Sequence, residues 1–268
     1  MTLEKPLISF IIPYFNSGNT IQETIDSIFK QSYKNFDIWI IDDGSADMFS
    51  MNKLKDFEGN DKIHILHQNN SGPSVARNLA ISETQASYFV PLDADDVIEQ
   101  NALELALAQI QNNEKIGAIY GHYEWFGSRE GFKEQHEFLI EKQFIMNQIP
   151  ITALIRKEMW KEIGGYDIFL SKPGLEDWEF WLKAGLSKWH LKFFDFTFFK
   201  VRINAESRTF KVANNNLELI KKYVFEKHSI ALAEAYEKLW YQKKQLGETP
   251  DYRIGNFILK PYRFIKSL

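Results

Sequence analysis

Three aspartates, Asp93, Asp95 and Asp96, crowd into "VPLDADDVI" (90 to 98), where an apolar run that reads as a buried strand gives out. A second acidic pair, Asp42 and Asp43, ends another such run and is followed by Gly44 and Ser45. Two unit charges about 6 Å apart repel by roughly 3 kcal/mol at an effective dielectric of about 20, so unpaired carboxylates on one rim are costly or partly protonated. A divalent cation removes that cost. Oxygen ligands on a loop, with no histidine or cysteine cluster beside them, suit Mg²⁺ or Mn²⁺ better than zinc. Taken alone, the stretch reads equally as a solvated acidic turn or the cap of the next helix.

Placing these residues at one edge requires strands that end together. "LISFII" (7 to 12) is a continuous β-branched and aromatic run, the pattern of a strand covered on both faces. Thr20 and Glu23 then stand in capping-box spacing before Ile21, Ile25, Ile28 and Phe29, which recur at helical intervals. Further strands are expected at 36 to 42, 62 to 67 and 87 to 92, with helices at 48 to 57, after Pro73, and at 102 to 111. This alternation implies a mostly parallel sheet flanked by helices, whose ligands bind beyond the carboxyl ends of the strands. Pro13, Tyr14, Phe15 and Asn16 end the first strand, so an aromatic ring joins the acidic rim.

The second half is less regular. It reads as a strand at 117 to 127, a strand or short helix and then a helix within 151 to 167, a glycine-bounded helix at 174 to 185, and one or two aromatic strands within 188 to 203. From Asn214 the chain is strongly helical, and "NNN" (214 to 216) is the expected hinge between a catalytic domain, 1 to 213, and a helical C-terminal extension, 214 to 268.

Composition narrows the classes. A length of 268 residues with 44% apolar content supports a globular core, and a net charge of −4 gives no general attraction to nucleic acid. There is no cysteine, hence no disulfide framework or thiolate chemistry, which fits a reducing, cytoplasmic setting. The N-terminus carries no leader pattern, and no apolar run approaches the roughly 18 residues of a spanning helix.

The ordered set "ISFIIPYFNSGNTIQ … FDIWIIDDGSAD", "NNSGPSVARNLA … FVPLDADD" and "GLEDWEFWLKAG" resembles the family 2 inverting glycosyltransferases of the GT-A fold, over about residues 6 to 185. The resemblance implies a Rossmann-like mostly parallel central sheet flanked by helices and a sugar nucleotide donor, most often a UDP-sugar. Pro13 and Phe15 would frame the uracil, with Asp43 accepting from its imide nitrogen and Arg77 beside the base and diphosphate. Asp93 would lie near the ribose and the hydration shell of the metal, Mn²⁺ or Mg²⁺. Asp95 would be its direct ligand. Asp177 would be the general base and Glu176 would orient acceptor or sugar, while Trp178 and Trp181 either offer a sugar-stacking face or belong to the core. Arg202 and Arg208 stand where members place a loop over the diphosphate. The histidines fall in no metal-ligand spacing.

Processive synthases of that family carry a Gln-x-x-Arg-Trp motif and spanning helices; neither occurs in this sequence, so addition of one hexosyl or N-acetylhexosaminyl unit to a glycan or lipid-linked acceptor is the implied reaction. An inactive sugar-nucleotide-binding module would lose the base or metal ligand, and both are present. A sugar-1-phosphate nucleotidyltransferase would open with a glycine-rich basic loop, which "PYFNSGN" is not.

Finally, "YRIGNFILKPYRFIKSL" (252 to 268) has no acidic residue and, wound as a helix, separates Arg253, Lys260, Arg263 and Lys266 from its aliphatic side chains. This is the pattern of a peripheral membrane helix on the inner face of the plasma membrane, or of a terminal helix packed on protein. The oligomeric state is left open.

Overall fold

The computed structural model describes residues 7–204 and 214–245. Arg208 and the basic tail at 252 to 268 therefore lie outside the described residues.

The chain order begins β1 (Ile8–Tyr14), α1 (Ile21–Phe29), β2 (Phe36–Asp42), α2 (Met48–Lys55), β3 (Ile63–His67), α3 (Pro73–Glu83), β4 (Tyr88–Pro91), β5 (Val97–Ile98) and α4 (Ala102–Gln111). It continues with β6 (Ile116–Gly127), β7 (Gly131–Lys133), α5 (Ile140–Gln143), β8 (Leu154–Arg156), α6 (Lys157–Glu162), α7 (Glu176–Leu186), β9 (His190–Ile203), α8 (Asn214–Lys227) and α9 (Ser229–Gln245). One sheet runs β3-β2-β1-β4-β8-β6-β9-β5, with β7 paired to β6.

The parallel character expected from the alternation holds across β3, β2, β1 and β4. Beyond β4 the sheet is mixed: β8 is antiparallel to both β4 and β6, β6 and β9 are parallel, and β5 is antiparallel to β9. Ile8 to Tyr14 pair in step with Phe36 to Asp42, so β1 and β2 end level and deliver Phe15 and Asp43 to one edge.

Successive β1 side chains point to opposite faces and both are filled. Ile8, Phe10, Ile12 and Tyr14 join a core with Ile21, Ile25 and Ile28 of α1 and Leu103 and Ala106 of α4. Ile11 points the other way, into a core with Ala76 and Ala80 of α3, Met159 of α6 and Phe180 and Trp181 of α7. Truncating a fully buried residue such as Ile12 to alanine costs about 2–5 kcal/mol.

Several local expectations change. Thr20 precedes α1 but makes no side-chain cap; its hydroxyl donates to the Ala94 carbonyl at 2.9 Å, tying α1 to the aspartate loop instead. Asp96 does not cap the following helix, because α4 starts at Ala102; its Oδ1 accepts from the Arg202 backbone N–H at 3.0 Å. Val97 and Ile98 form a short strand on β9 that their two-residue length hides in the sequence. Asn214–Asn216 open α8 rather than forming a linker, and the helical region breaks into two helices.

Both C-terminal helices pack on the domain. Ile220, Val224 and Leu232 share an apolar cluster with Phe144, Leu170, Trp178 and Leu182. Beside it, the fully buried Glu179 of α7 pairs with Lys183 at 3.2 Å, Lys227 at 3.0 Å and His228 at 2.8 Å. Burial alone would raise the Glu179 carboxyl; the His228 bond and the two lysines outweigh it and hold it below the usual range.

Candidate active site

The site lies where the carboxyl ends of β1, β2 and β4 meet the start of α7. Pro73 occupies the first turn of α3, after Gly72 in a left-handed conformation (φ 86). A Cβ on Gly72 would meet Ser171 Oγ at 2.5 Å, and Ser171 Oγ accepts from the Ser74 N–H at 3.1 Å. Only glycine allows this approach, which seats α3 against the 3-10 turn Phe169–Ser171 that leads into α7. Leu175, just before Glu176, is itself left-handed (φ 58), a conformation costing roughly 1–2 kcal/mol for a residue with a Cβ. That strained turn starts α7 directly with Glu176 and Asp177, whose charge suits a helix N-terminus.

Arg77, one turn into α3, joins the two acidic groups. Its side chain is 3% exposed; Nη2 donates to Asp93 Oδ1 at 2.7 Å and Nη1 to Glu176 Oε1 at 2.8 Å. The planar fork thus spans the loop after β4 and the start of α7. Burial would lower its pKa, but Asp93 and Glu176 overcome that and raise it. Tyr166 lies beneath, its ring centroid 5.7 Å from the guanidinium and its other neighbour, Phe180, stacked at 4.3 Å.

The carboxylates differ. Asp93 has a 44% exposed side chain. Asp95 is partly buried, and its carboxyl is pushed up to about 6 by desolvation and by the charge of Asp93. Asp96 is buried and pushed well above the usual range, by desolvation and then by Asp93 and Asp95. Arg202 reaches this loop through Nε to the Asp95 carbonyl at 3.1 Å while its guanidinium pairs with Glu23. Its guanidinium is thereby engaged with protein, not held out toward a phosphate. Asp177 is pushed up to about 7, by desolvation and then by Glu176. Its Oδ2 accepts from Asn147 Nδ2 at 2.7 Å and its Oδ1 from the Trp178 N–H at 2.8 Å.

On the other flank Phe15 is 45% exposed and Pro13 half-buried at the edge between β1 and β2. Asp43 is buried and accepts from Gln68 Nε2 at 2.7 Å and from the Ser71 and Gly72 N–H groups at 2.7 and 2.8 Å. It fastens the loop before α3, and one of a carboxylate's about four acceptor positions is left for a ligand. Asp42 turns inward to the Ser45 N–H at 2.9 Å and to His67 at 3.2 Å. Trp178 and Trp181 are 2% and 0% exposed, so they are core residues and present no ring face to a sugar.

Asn147 and Tyr166 have no signal in the sequence: each becomes adjacent to the site through a loop, with no spacing or charge to mark it. A divalent ion fits the donor set in one particular way. Among the described residues no three acidic, histidine or cysteine side chains form a cage. Mg²⁺, however, is commonly held by one or two carboxylates together with substrate phosphates. Asp93 and Asp95 would supply such a pair, and the Asp95 carboxyl, raised by desolvation and then by the Asp93 charge, is one that a cation would favour in its ionised form.

Comparison with known proteins gives the family and the fold. Residues 9–171 match the profile of Glycosyl transferase family 2. The chain is 30% identical over 179 residues to the glycosyltransferase GlyG of Streptococcus pneumoniae serotype 4, covering 59% of each protein. It is also 30% identical over 227 residues to a glycosyltransferase of Rickettsia felis, covering 80% of this chain and 37% of that one. It therefore spans 59% or less of the length of these relatives. Among solved structures, S. aureus TarS 1-349 in complex with UDP-GlcNAc superposes with a TM-score of 0.69 at 18% identity, over 85% of this chain and 66% of that one. The complex of the same fragment with UDP gives 0.66 at 19% identity, over 85% and 65%. These superpositions establish a GT-A fold, and the profile match establishes that the chain belongs to glycosyl transferase family 2.

Proposed function

We propose that the protein is a metal-dependent inverting glycosyltransferase that moves one sugar from a UDP-sugar to a hydroxyl of a glycan or lipid-linked acceptor in cell-surface polysaccharide assembly. One observation carries this reading: the buried Arg77 is bonded at once to Asp93 and to Glu176, which makes one site of the two acidic groups. Support for the donor comes from the complexes of the TarS fragment with UDP and UDP-GlcNAc, and for polysaccharide work from the chondroitin synthase of Pasteurella multocida, 33% identical over 117 residues, 43% of this chain and 12% of that one.

In this reading Phe15 and Pro13 frame the uracil and Asp43 accepts from its imide nitrogen. Asp93 and Asp95 hold Mn²⁺ or Mg²⁺, which when bound supplies charge neutralisation at the diphosphate. Asp177 takes the proton of the acceptor hydroxyl as the new C1–O bond forms on the face opposite the departing UDP. Partial burial suits it to that role, since a base with a pKa of about 7 is about half ionised at neutral pH and accepts a proton readily. Glu176, held by Arg77, orients the sugar or acceptor.

We further propose that residues 1 to 213 form the catalytic unit, that 214 to 268 extend it, and that the chain works at the cytoplasmic membrane face through its basic tail. Among the described residues no helix is long and apolar enough to cross a membrane. Deleting 251 to 268 should abolish binding to anionic vesicles; unchanged binding removes the membrane part of the proposal.

Thermal-shift screening of UDP, dTDP, GDP and ADP with and without Mn²⁺ tests the core of the reading. Stabilisation by UDP that requires the metal is expected, and indifference to every nucleotide would refute it.

A further inference from the structure

Asp177 is oriented from outside its own helix, by the segment that follows α5. The chain of bonds starts at Gln143, which is fully buried. Gln143 Nε2 donates to the Trp178 carbonyl at 3.0 Å, and the Gln148 N–H donates to Gln143 Oε1 at 3.0 Å. A carbonyl can only accept and a backbone N–H can only donate, so these two contacts fix which end of the Gln143 amide is which. The same Nε2 reaches Asn147 Oδ1 at 3.2 Å, so the other end of the Asn147 amide, its NH₂, is the one that meets Asp177 Oδ2 at 2.7 Å. Trp178 closes the arrangement by donating its indole N–H to the Gln143 carbonyl at 2.6 Å. The amide orientations follow from backbone groups of α7 and of the segment itself.

We propose that Asn147 is a positioning residue for the general base: it holds the Asp177 carboxylate in one rotamer and stabilises its ionised form by donating to Oδ2. The inference rests on the reading of Asp177 as the base. With Trp178 N–H on Oδ1 and Asn147 on Oδ2, each oxygen keeps one acceptor position, so a substrate hydroxyl can still approach. Ile145 and Met146, just before Asn147, are 56% and 62% exposed, so the clamp sits at the surface beside the base.

The groups that act on the Asp177 charge are Glu176 on its own helix, Arg77 on α3, Asp93 on the loop after β4, Tyr166 before α7 and Tyr123 on β6. Asn147 adds a neutral donor to this set. Its removal should therefore raise the Asp177 pKa, since a hydrogen bond to the charged form favours that form.

The test follows the Asp177 carboxyl by ¹³C NMR titration in the wild-type protein, Asn147→Ala and Asn147→Asp, with UDP release from UDP-GlcNAc and UDP-glucose as the kinetic readout. Asn147→Ala should move the titration midpoint and the acid limb of kcat to higher pH and lower kcat roughly 10-fold or more, with the KM for the donor within about twofold. Asn147→Asp keeps the shape but replaces a donor with a like charge, so it should move both further and recover part of its rate at high pH. Should Asn147→Ala fail to fold, Asn147→Asp carries the same two readouts. A midpoint and acid limb unchanged in the folded variants would overturn the inference. Asp177→Asn run in parallel separates the two claims: transfer that persists in it refutes the base itself, whereas its loss beside unaltered Asn147 variants refutes the clamp alone.

Discussion

The loop at residues 93 to 96 and the start of α7 both crowd carboxylates, but the fold treats them differently. At the loop, Asp93 is 44% exposed and Arg77 meets one of its oxygens, while Asp95 and Asp96 are pushed upward by burial and by their neighbours. Two positive side chains, Arg77 and Arg202, do not balance three acids there, and Arg202 gives its guanidinium to Glu23. At α7, Glu176 is satisfied by Arg77, and the remaining acid, Asp177, is held by neutral donors. Excess charge at a solvent-open rim invites a cation with its phosphates. A half-buried acid poised near neutrality invites a proton. One arginine divides the labour between the two.

The division can be broken at either end. The largest effect is expected for Asp177→Asn, which should lower transfer by about 10²–10⁴-fold while leaving UDP binding in place. Steady-state UDP release and a binding titration on the same sample check this. Next, Arg77→Ala removes the charged partner that the buried Glu176 shares with Asp93 and should destabilise the fold by about 3–5 kcal/mol in urea unfolding. Arg77→Lys keeps the charge but cannot span both partners and should fall between that variant and the wild type. Asp95→Asn should weaken Mn²⁺-dependent UDP binding more than roughly 10-fold, since even groups that merely orient a metal ligand cost about 10–100-fold.

The smaller effects concern pH. With Asp177 as the proposed base, transfer needs its ionised form, so kcat should rise with pH through an apparent pKa of about 7. Stability should move the other way in the metal-free protein. Asp95, Asp96 and Asp177 bind protons more tightly folded than unfolded, so each favours folding at low pH and loses that contribution as pH rises from about 4 through its folded pKa. Asp167 and Glu179, held low, titrate below this window and oppose the trend only in acid. Melting temperatures between pH 5 and 7.5 should therefore decline without metal, and Asp95→Asn should flatten the slope.

The same contrast explains what was legible in the sequence. The rim proposed for the donor is written locally: uninterrupted apolar runs give β1, β2 and β4, and the residues just after them are by necessity at the strand ends. Asp43, Asp93 and Asp95 could be placed from that alone. The start of α7, proposed to face the acceptor, is assembled from distant pieces. Asn147 meets Asp177 across 30 positions, and Arg77 meets Glu176 across 99. No periodicity encodes those contacts. The family resemblance points to Glu176 and Asp177, and only the fold brings Asn147 and Tyr166 beside them. Trp178 and Trp181 show the ambiguity of a helical aromatic pair, which the packing of α7 against the sheet and C-terminal helices resolves in favour of the core.

A calorimetric titration of UDP, with and without Mn²⁺, into the wild-type protein, Asp95→Asn and Asp177→Asn tests the central division of labour most directly. The account predicts that Mn²⁺ strengthens UDP binding in the wild type and in Asp177→Asn to a similar degree, and that Asp95→Asn loses this enhancement. Equal loss in both variants, or an enhancement that survives in Asp95→Asn, would contradict it.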